Sequence, residues 1–276
     1  MKTRGARLGQ HFLIHSWAAR KLAYAVAPQE GEVIVEIGPG KGVLTRELLK
    51  LGPVLAIEKD EALVEKLKET FKEEAASGHL MLLARDIRDF NPRSSNLDAR
   101  RYIVAANIPY YITGEIIRQF LTADIQPRSM ALLVQKEVAQ RIVDTRESIL
   151  SLSVKAYGTP RIIAKVGKSH FSPSPSVDSA ILLIENISKN FFDSVSEEDF
   201  FNVVRTGFTS KRKFLSSNLG SRFGVRAARE ALNSCTLQEK VRAEEIRLAD
   251  WKCVTQHFLE PGISSLEPIS NSPPSS

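Results

Sequence analysis

The sequence predicts an α/β chain, with a doubly wound sheet followed by a small all-α domain. Three observations carry this reading. Short apolar runs alternate with helical stripes from Val33 to about Ile184, the pattern of successive β/α units. The first run, Val33–Ile37, is continuously apolar but for Glu36, as expected of a strand buried on both faces. After about Asn186 the strand signals stop, and only helical stripes and short turns remain. The expected domains are residues 1–188, with a basic N-terminal arm, residues 189–262, and a disordered tail over 263–276.

The elements follow in order. Gly38-Pro39-Gly40-Lys41-Gly42 is the turn after the first strand, and Leu44, Leu48 and Leu51 mark the helix beyond it, which Gly52-Pro53 ends. Val54–Ile57 is the second strand and closes on Glu58. Asp60 caps a helix carrying Leu63, Leu67 and Phe71 on one face, which is expected to run to about Gly78. Leu80–Leu83 is the third strand, ending near Asp86, and Tyr102–Ala105 is the fourth, followed by Asn107-Ile108-Pro109-Tyr110. Met130–Val134, Arg161–Val166 and Ala180–Ile184 complete the strands. Ser196-Glu197-Glu198-Asp199 opens the helical part, and Phe200, Phe201, Val203, Val204 and Phe208 form its first stripe. The Ser/Pro-rich composition of residues 263–276 cannot build a core.

Composition narrows the class. Of 276 residues, 43% are hydrophobic and 25% charged, which excludes collagenous, disulfide-scaffold and disordered chains. Apolar runs stay far below the roughly 18 residues of a membrane helix, and no apolar segment follows the basic N-terminus as a secretory signal requires. The net charge of +6 favours a polyanionic partner, nucleic acid above others. Cys235 and Cys253 lack metal-site spacing and are expected to be reduced, buried thiols in a reducing compartment.

The candidate site lies at strand ends. The Gly-rich turn lets backbone approach a ligand closely, yet it is neither a P-loop nor a complete GxGxxG, so alone it also reads as a tight structural turn. Glu58, 20 positions after Gly38, is placed to accept hydrogen bonds from both hydroxyls of a ribose. Asp86 is placed to accept from a purine amino group. Together these features predict an adenosine-containing cofactor in the crevice at the carboxyl ends of the strands. Asn107-Ile108-Pro109-Tyr110 joins an amide oxygen, a constrained backbone and an aromatic ring, which suits a planar base bearing an amino group.

The motifs Leu8-Gly9-Gln10-His11-Phe12-Leu13, Val35-Glu36-Ile37-Gly38-Pro39-Gly40, Asn107-Ile108-Pro109-Tyr110, Gln135-Lys136-Glu137-Val138 and Phe171-Ser172-Pro173-Ser174-Pro175-Ser176-Val177-Asp178-Ser179 occur in that order. Over about residues 7–260 the chain resembles the S-adenosylmethionine-dependent ribosomal RNA adenine dimethyltransferases, in their small-subunit, KsgA/Dim-type branch. The resemblance implies a Rossmann-like, seven-stranded methyltransferase domain with a small helical domain. It implies N6,N6-dimethylation of two adjacent adenosines near the 3′ end of small-subunit RNA, on an assembly intermediate in the cytoplasm. Monomer is the default expectation, and methyl transfer from a sulfonium requires no metal. His11 and Leu13 would close over S-adenosylmethionine. Gly38, Gly40, Glu58, Asp86 and Asn107 would line its site. Asn107, Tyr110 and Phe171 would be catalytic, the two rings stacking on the target base. His11 stands where the family often has Asn. Basic clusters at Lys2, Arg4 and Arg7, at Lys136, Arg141 and Arg146, and at Lys211-Arg212-Lys213 would contact phosphates. Two other readings stay open: a large-subunit dimethyltransferase of the antibiotic-resistance type, and a ribosome-assembly factor without catalysis. A DNA adenine methyltransferase is disfavoured, since those usually carry a second proline where this chain has Ile108.

Overall fold

The computed structural model describes residues 11–95, 97 and 101–260. Contacts divide the chain into two compact units, one of residues up to Asp144 with Leu150–Phe191, the other of Thr145–Ile149 with Phe192 onward.

The first unit runs β1 (Phe12–Leu13), α1 (Ser16–Val26), β2 (Val33–Ile37), α2 (Val43–Leu48), β3 (Val54–Glu58), α3 (Glu61–Thr70), α4 (Lys72–Ala76), β4 (Leu80–Ala84), β5 (Tyr102–Asn107), α5 (Thr113–Leu121), β6 (Met130–Gln135), α6 (Lys136–Val143), α7 (Ile149–Lys155), β7 (Thr159–Val166), β8 (Phe171–Ser172) and β9 (Ser179–Glu185). Seven strands form one sheet in the order β4-β3-β2-β5-β6-β9-β7, and β9 alone runs against the rest. The chain winds outward from β2 through β3 to β4, then returns to β5 on the other side. Strands β2 and β5 are therefore neighbours at a topological switch point, where open α/β sheets leave a crevice. Their residues Ile34, Val35, Ile103, Val104 and Ala105 are fully buried, as a strand covered on both faces requires.

Two differences from the sequence reading bear on the site. The expected single helix from Asp60 to Gly78 breaks at Phe71, whose backbone leaves the helical region at φ −117°, ψ 42°. Phe71 is buried against the Gly-rich turn, where a Cβ on Gly42 would meet its ring at 2.6 Å, and Gly42 itself has φ +77°. Both the left-handed backbone and the close approach demand glycine there. The second difference is a two-stranded pairing of β1 with β8, Phe12 opposite Ser172 and Leu13 opposite Phe171. Two residues show no periodicity, so this ribbon has no sequence signal of its own.

The second unit is helical: α8 (Glu197–Gly207), α9 (Leu215–Phe223), α10 (Val225–Ser234) and α11 (Leu248–Leu259). Ser196 caps α8 by accepting from Asp199 N–H at 3.0 Å. Trp251 is fully buried and stacks on Phe208 with centroids 5.5 Å apart, while Phe223 stacks on Phe258 at 4.3 Å. Here the cysteine expectation is corrected. Cys235, just after α10, and Cys253, within α11, form a disulfide with Cα atoms 5.9 Å apart. Each is partly exposed, so neither is a buried thiol, and they carry no argument for a reducing compartment. A separation of 18 residues says nothing about pairing; helix packing brings them together. Among the described residues no helix is long and apolar enough to cross a membrane. The expected tail at 263–276 and the arm residues Lys2, Arg4 and Arg7 lie outside the described residues.

Candidate functional site

A cleft of about 960 Å³, counting its open mouth, lies over the carboxyl ends of β2, β3, β4 and β5. Its walls take Gly38 and Gly40 from the glycine turn, Glu58 and Lys59 after β3, Asp86 and Arg88 after β4, and Asn107 to Ile112 after β5, with His11 and Phe12 on one side. Seven of the expected site residues, His11, Gly38, Gly40, Glu58, Asp86, Asn107 and Tyr110, thus share one cavity.

The glycine turn serves as a shaped wall rather than as a row of free donors. Gly38 N–H donates to Ile57 O at 2.9 Å, Gly42 N–H to Pro39 O at 2.9 Å and Gly40 N–H to Glu58 Oε2 at 3.1 Å. At Gly40, φ is +57°, and a Cβ would come within 2.9 Å of the Phe12 ring, so glycine lets β1 close against the turn.

Glu58 is 5% exposed, with Oε2 accepting from Gly40 and Oε1 from Asp60 N–H at 3.0 Å. Two backbone donors orient the carboxylate and leave further lone pairs for hydroxyl donors. Asp86 is held differently. Its Oδ1 takes Arg88 N–H at 3.1 Å and Nε at 3.0 Å, and its Oδ2 takes Arg88 Nη2 at 2.6 Å and Lys59 Nζ at 2.7 Å. Hydrogen bonds from Arg88 and then Lys59 hold this carboxyl well below the usual range. Four donors saturate it, so a purine amino group must displace one of them to reach Asp86.

Asn107 ends β5 and donates Nδ2–H to His11 O at 3.0 Å. That bond settles which way the amide faces: Oδ1 accepts no hydrogen bond among the described residues and is available as an acceptor in the cleft. Pro109 then fixes the backbone, and Tyr110 Oη shares a 2.7 Å hydrogen bond with Ser179 Oγ that orients its ring. Burial raises the Tyr110 phenol above its ordinary range, so it stays neutral. The His11 ring lies 5.7 Å from that of Tyr110, and His11 Nδ1 lies 2.8 Å from Pro173 O.

Two expected residues sit elsewhere. Phe171 is 3% exposed, packs in the apolar core with Leu13 and Val166, and does not line the cleft, so in this conformation it offers no face to a base. Leu13 is 5% exposed and borders a smaller cavity beneath the glycine turn, shared with Glu36, Gly40 and Asn107. Leu8, Gly9 and Gln10 lie outside the described residues. Of the basic residues, Lys136 and Arg141 are on α6, Arg146 pairs with Glu244 at 3.4 Å in the second unit, and Lys211–Lys213 lie between α8 and α9.

Glu36 escaped the sequence reading as a site residue. It is fully buried in β2 beside Thr45, whose hydrogen bonding to the carboxyl offsets only part of the cost of burial, and no bond of good geometry reaches either oxygen. Burial pushes its pKa up to about 8, and the charge of Glu58 adds to the rise. The signal was present, a lone acid inside a strand otherwise apolar on both faces. Because the folded protein holds this proton more tightly than the unfolded chain, stability falls as pH rises from about 4.5 to about 8. Glu36→Gln removes the titration, so its melting temperature should lie above the parent's near pH 8 and vary less with pH across that window. Thermal melts without ligand check this; an unchanged pH slope would place the titration on another group.

Comparison with known proteins adds five findings. A family model described as ribosomal RNA adenine dimethylase matches residues 1–258. A protein of Dehalococcoides mccartyi strain BAV1 named ribosomal RNA small subunit methyltransferase A is 38% identical over 250 residues, covering 89% of this chain and 85% of its own. A protein of the same name from Clostridioides difficile strain 630 is 33% identical over 269 residues, covering 94% and 91%. Among solved structures, a dimethyladenosine transferase from Plasmodium falciparum superposes with TM-score 0.74 at 24% identity, covering 92% of this chain and 99% of that one. The 23S rRNA methyltransferase ErmE gives TM-score 0.74 at 22% identity, covering 90% and 100%. At these identities the two structures speak for the fold alone.

Proposed function

The chain belongs to the ribosomal RNA adenine dimethylase family, and we propose that it dimethylates N6 of two adjacent adenosines near the 3′ end of small-subunit ribosomal RNA. It uses S-adenosylmethionine and acts as a cytoplasmic monomer on a partly assembled small subunit. The observation that carries the reading is the free Oδ1 of Asn107, pinned through Nδ2 to His11 and set beside the glycine turn in one cleft. The names of the curated relatives favour the small subunit over the large.

The residues present fit this cofactor. Glu58 keeps acceptor capacity for ribose hydroxyls, and the close-packed glycine turn offers a bare backbone wall. When bound, the cofactor supplies a methyl group made electrophilic by a positively charged sulfur. The protein's own part falls on the amino group to be methylated, a poor nucleophile because its lone pair is delocalised into the ring. Asn107 Oδ1 accepts one N–H of that group and the Ile108 carbonyl the other, which draws the nitrogen towards a tetrahedral shape with its lone pair exposed. The Tyr110 ring, steadied by Ser179, stacks on the adenine and holds it in line. A stack worth about 1–3 kcal/mol offsets part of the cost of extruding the base. Once methylated, the nitrogen gives up one proton to water and keeps one N–H, which either acceptor can hold for the second transfer.

The test is methyl incorporation from labelled cofactor into under-methylated small subunits, large subunits and duplex DNA, followed by nucleoside analysis. Dimethyladenosine confined to the small subunit is expected. Label confined to large subunits would transfer the protein to the resistance-type enzymes, and a product stopping at monomethyladenosine would remove the dimethylase claim.

A further inference from the structure

Helix α1 presents an outer face that the methyl-transfer site does not use. Ala18, Ala19, Leu22, Ala23 and Val26 are buried, so the helix is anchored by one side. The other side carries Trp17 at 45% exposure, Arg20, Lys21, and Tyr24 at 58% exposure, at i, i+3, i+4 and i+7. Two exposed aromatic rings thus bracket two cations over two helical turns, roughly 10 Å along the axis. The platform extends beyond the helix. Ile14 N–H donates to His170 O at 2.9 Å, which draws the Lys168–His170 turn against the start of α1. The His170 ring then lies 5.6 Å from Trp17 and 5.0 Å from exposed His15.

We propose that this face is a single-strand RNA platform, holding unpaired nucleotides beside the target adenosine by stacking on Trp17 and Tyr24 with phosphates on Lys21 and Lys168. It rests on the functional reading above and names a further part of the same substrate's contact surface. Charge identifies the occupant. Ser16–Val26 and the Lys168–His170 turn contain no acidic residue; Asp178 borders the turn, its Oδ1 accepting from the Lys168 backbone N–H at 3.1 Å, and neither Lys21 nor Lys168 makes a side-chain ion pair among the described residues. Arg20 is only loosely engaged, 4.0 Å from Glu47. Alternation of aromatic faces with cations is what sequence-tolerant single-strand binding uses. Position supports it as well. Trp17 is six residues from His11, whose carbonyl orients Asn107, a span of at most about 20 Å. Single exposed aromatics are ordinary on protein surfaces; a Trp–His–His cluster continued by a Lys–Tyr stripe is an organised surface.

The chain has two tryptophans and Trp251 is fully buried, so a fluorescence change on RNA addition reads Trp17. An unstructured oligoadenosine at low salt should quench it saturably. Trp17→Ala should weaken binding of the labelled strand roughly 5- to 150-fold, the range of one base–aromatic stack, with cofactor affinity unchanged. Lys21→Glu should lower the salt slope by about one counterion contact. Absence of quenching, or full oligonucleotide affinity in Trp17→Ala, overturns the platform, as does quenching by anionic phospholipid vesicles but not by RNA. The parent protein's methyl transfer to small subunits tests the functional reading separately, so the two failures are distinguishable.

Discussion

Replacing Asn107 by Ala should lower the rate of methyl transfer by about 10²- to 10³-fold, the loss typical of deleting one preorganised hydrogen-bonding group at a reacting centre. The amide acts at two ends. In the proposed mechanism its Oδ1 meets the amino group, while its Nδ2 bond to His11 O fixes where that oxygen points. Alanine removes both, yet it leaves β5 intact, since Asn107 is its last residue and its carboxyl-terminal neighbour Ile108 remains bonded to Leu133 O at 3.4 Å. The fold and RNA affinity should therefore survive. Single-turnover transfer, with RNA binding measured in parallel, separates the loss of chemistry from a loss of docking. A variant that turns over near the parent rate would take Asn107 out of the mechanism. Tyr110→Phe should be milder than Tyr110→Ala, because the ring remains while only its tie to Ser179 is lost.

How much of this was legible in the chain depends on the range of the interaction. Strands such as Val54–Glu58 and Met130–Gln135 announce themselves because burial on both faces requires an unbroken apolar run. Placing Gly38 and Asn107 at adjoining strand ends follows from the winding of β2 and β5. Side-chain partners across the cleft do not follow. Asp86 reads as a free strand-end acid, and only the structure brings Lys59 and Arg88 onto it. Phe171 reads as a stacking ring because its motif says so, whereas the register of β1 with β8 turns it into the core opposite Leu13. The His15–His170 and Cys235–Cys253 pairings join residues 155 and 18 positions apart, and nothing local in either segment records them.

Glu58→Ala should weaken S-adenosylmethionine binding by roughly 10- to 150-fold, equivalent to about 1.5–3 kcal/mol for hydrogen bonds to a charged acceptor. The comparison with Asp86 decides which acid matters more. Glu58 is aimed by Gly40 and Asp60 N–H groups and still has lone pairs open, so a ribose gains its hydrogen bonds without displacing anything. Asp86 gains a new donor only as Arg88 or Lys59 leaves, and the two costs largely cancel. Asp86→Ala should accordingly lose less affinity than Glu58→Ala. The Glu58 variant also strips two backbone N–H groups of their acceptor beneath the glycine turn, which costs stability as well as affinity. Glu58→Gln guards against that ambiguity. It keeps one acceptor oxygen for the turn, loses the charge, and should still bind the cofactor several-fold more weakly than the parent in a calorimetric titration. Equal affinity in Glu58→Gln and the parent, with both melting alike, would move the ribose contact away from Glu58; a larger loss in Asp86→Ala than in Glu58→Ala would show that the purine contact outweighs the ion pairs that now occupy it.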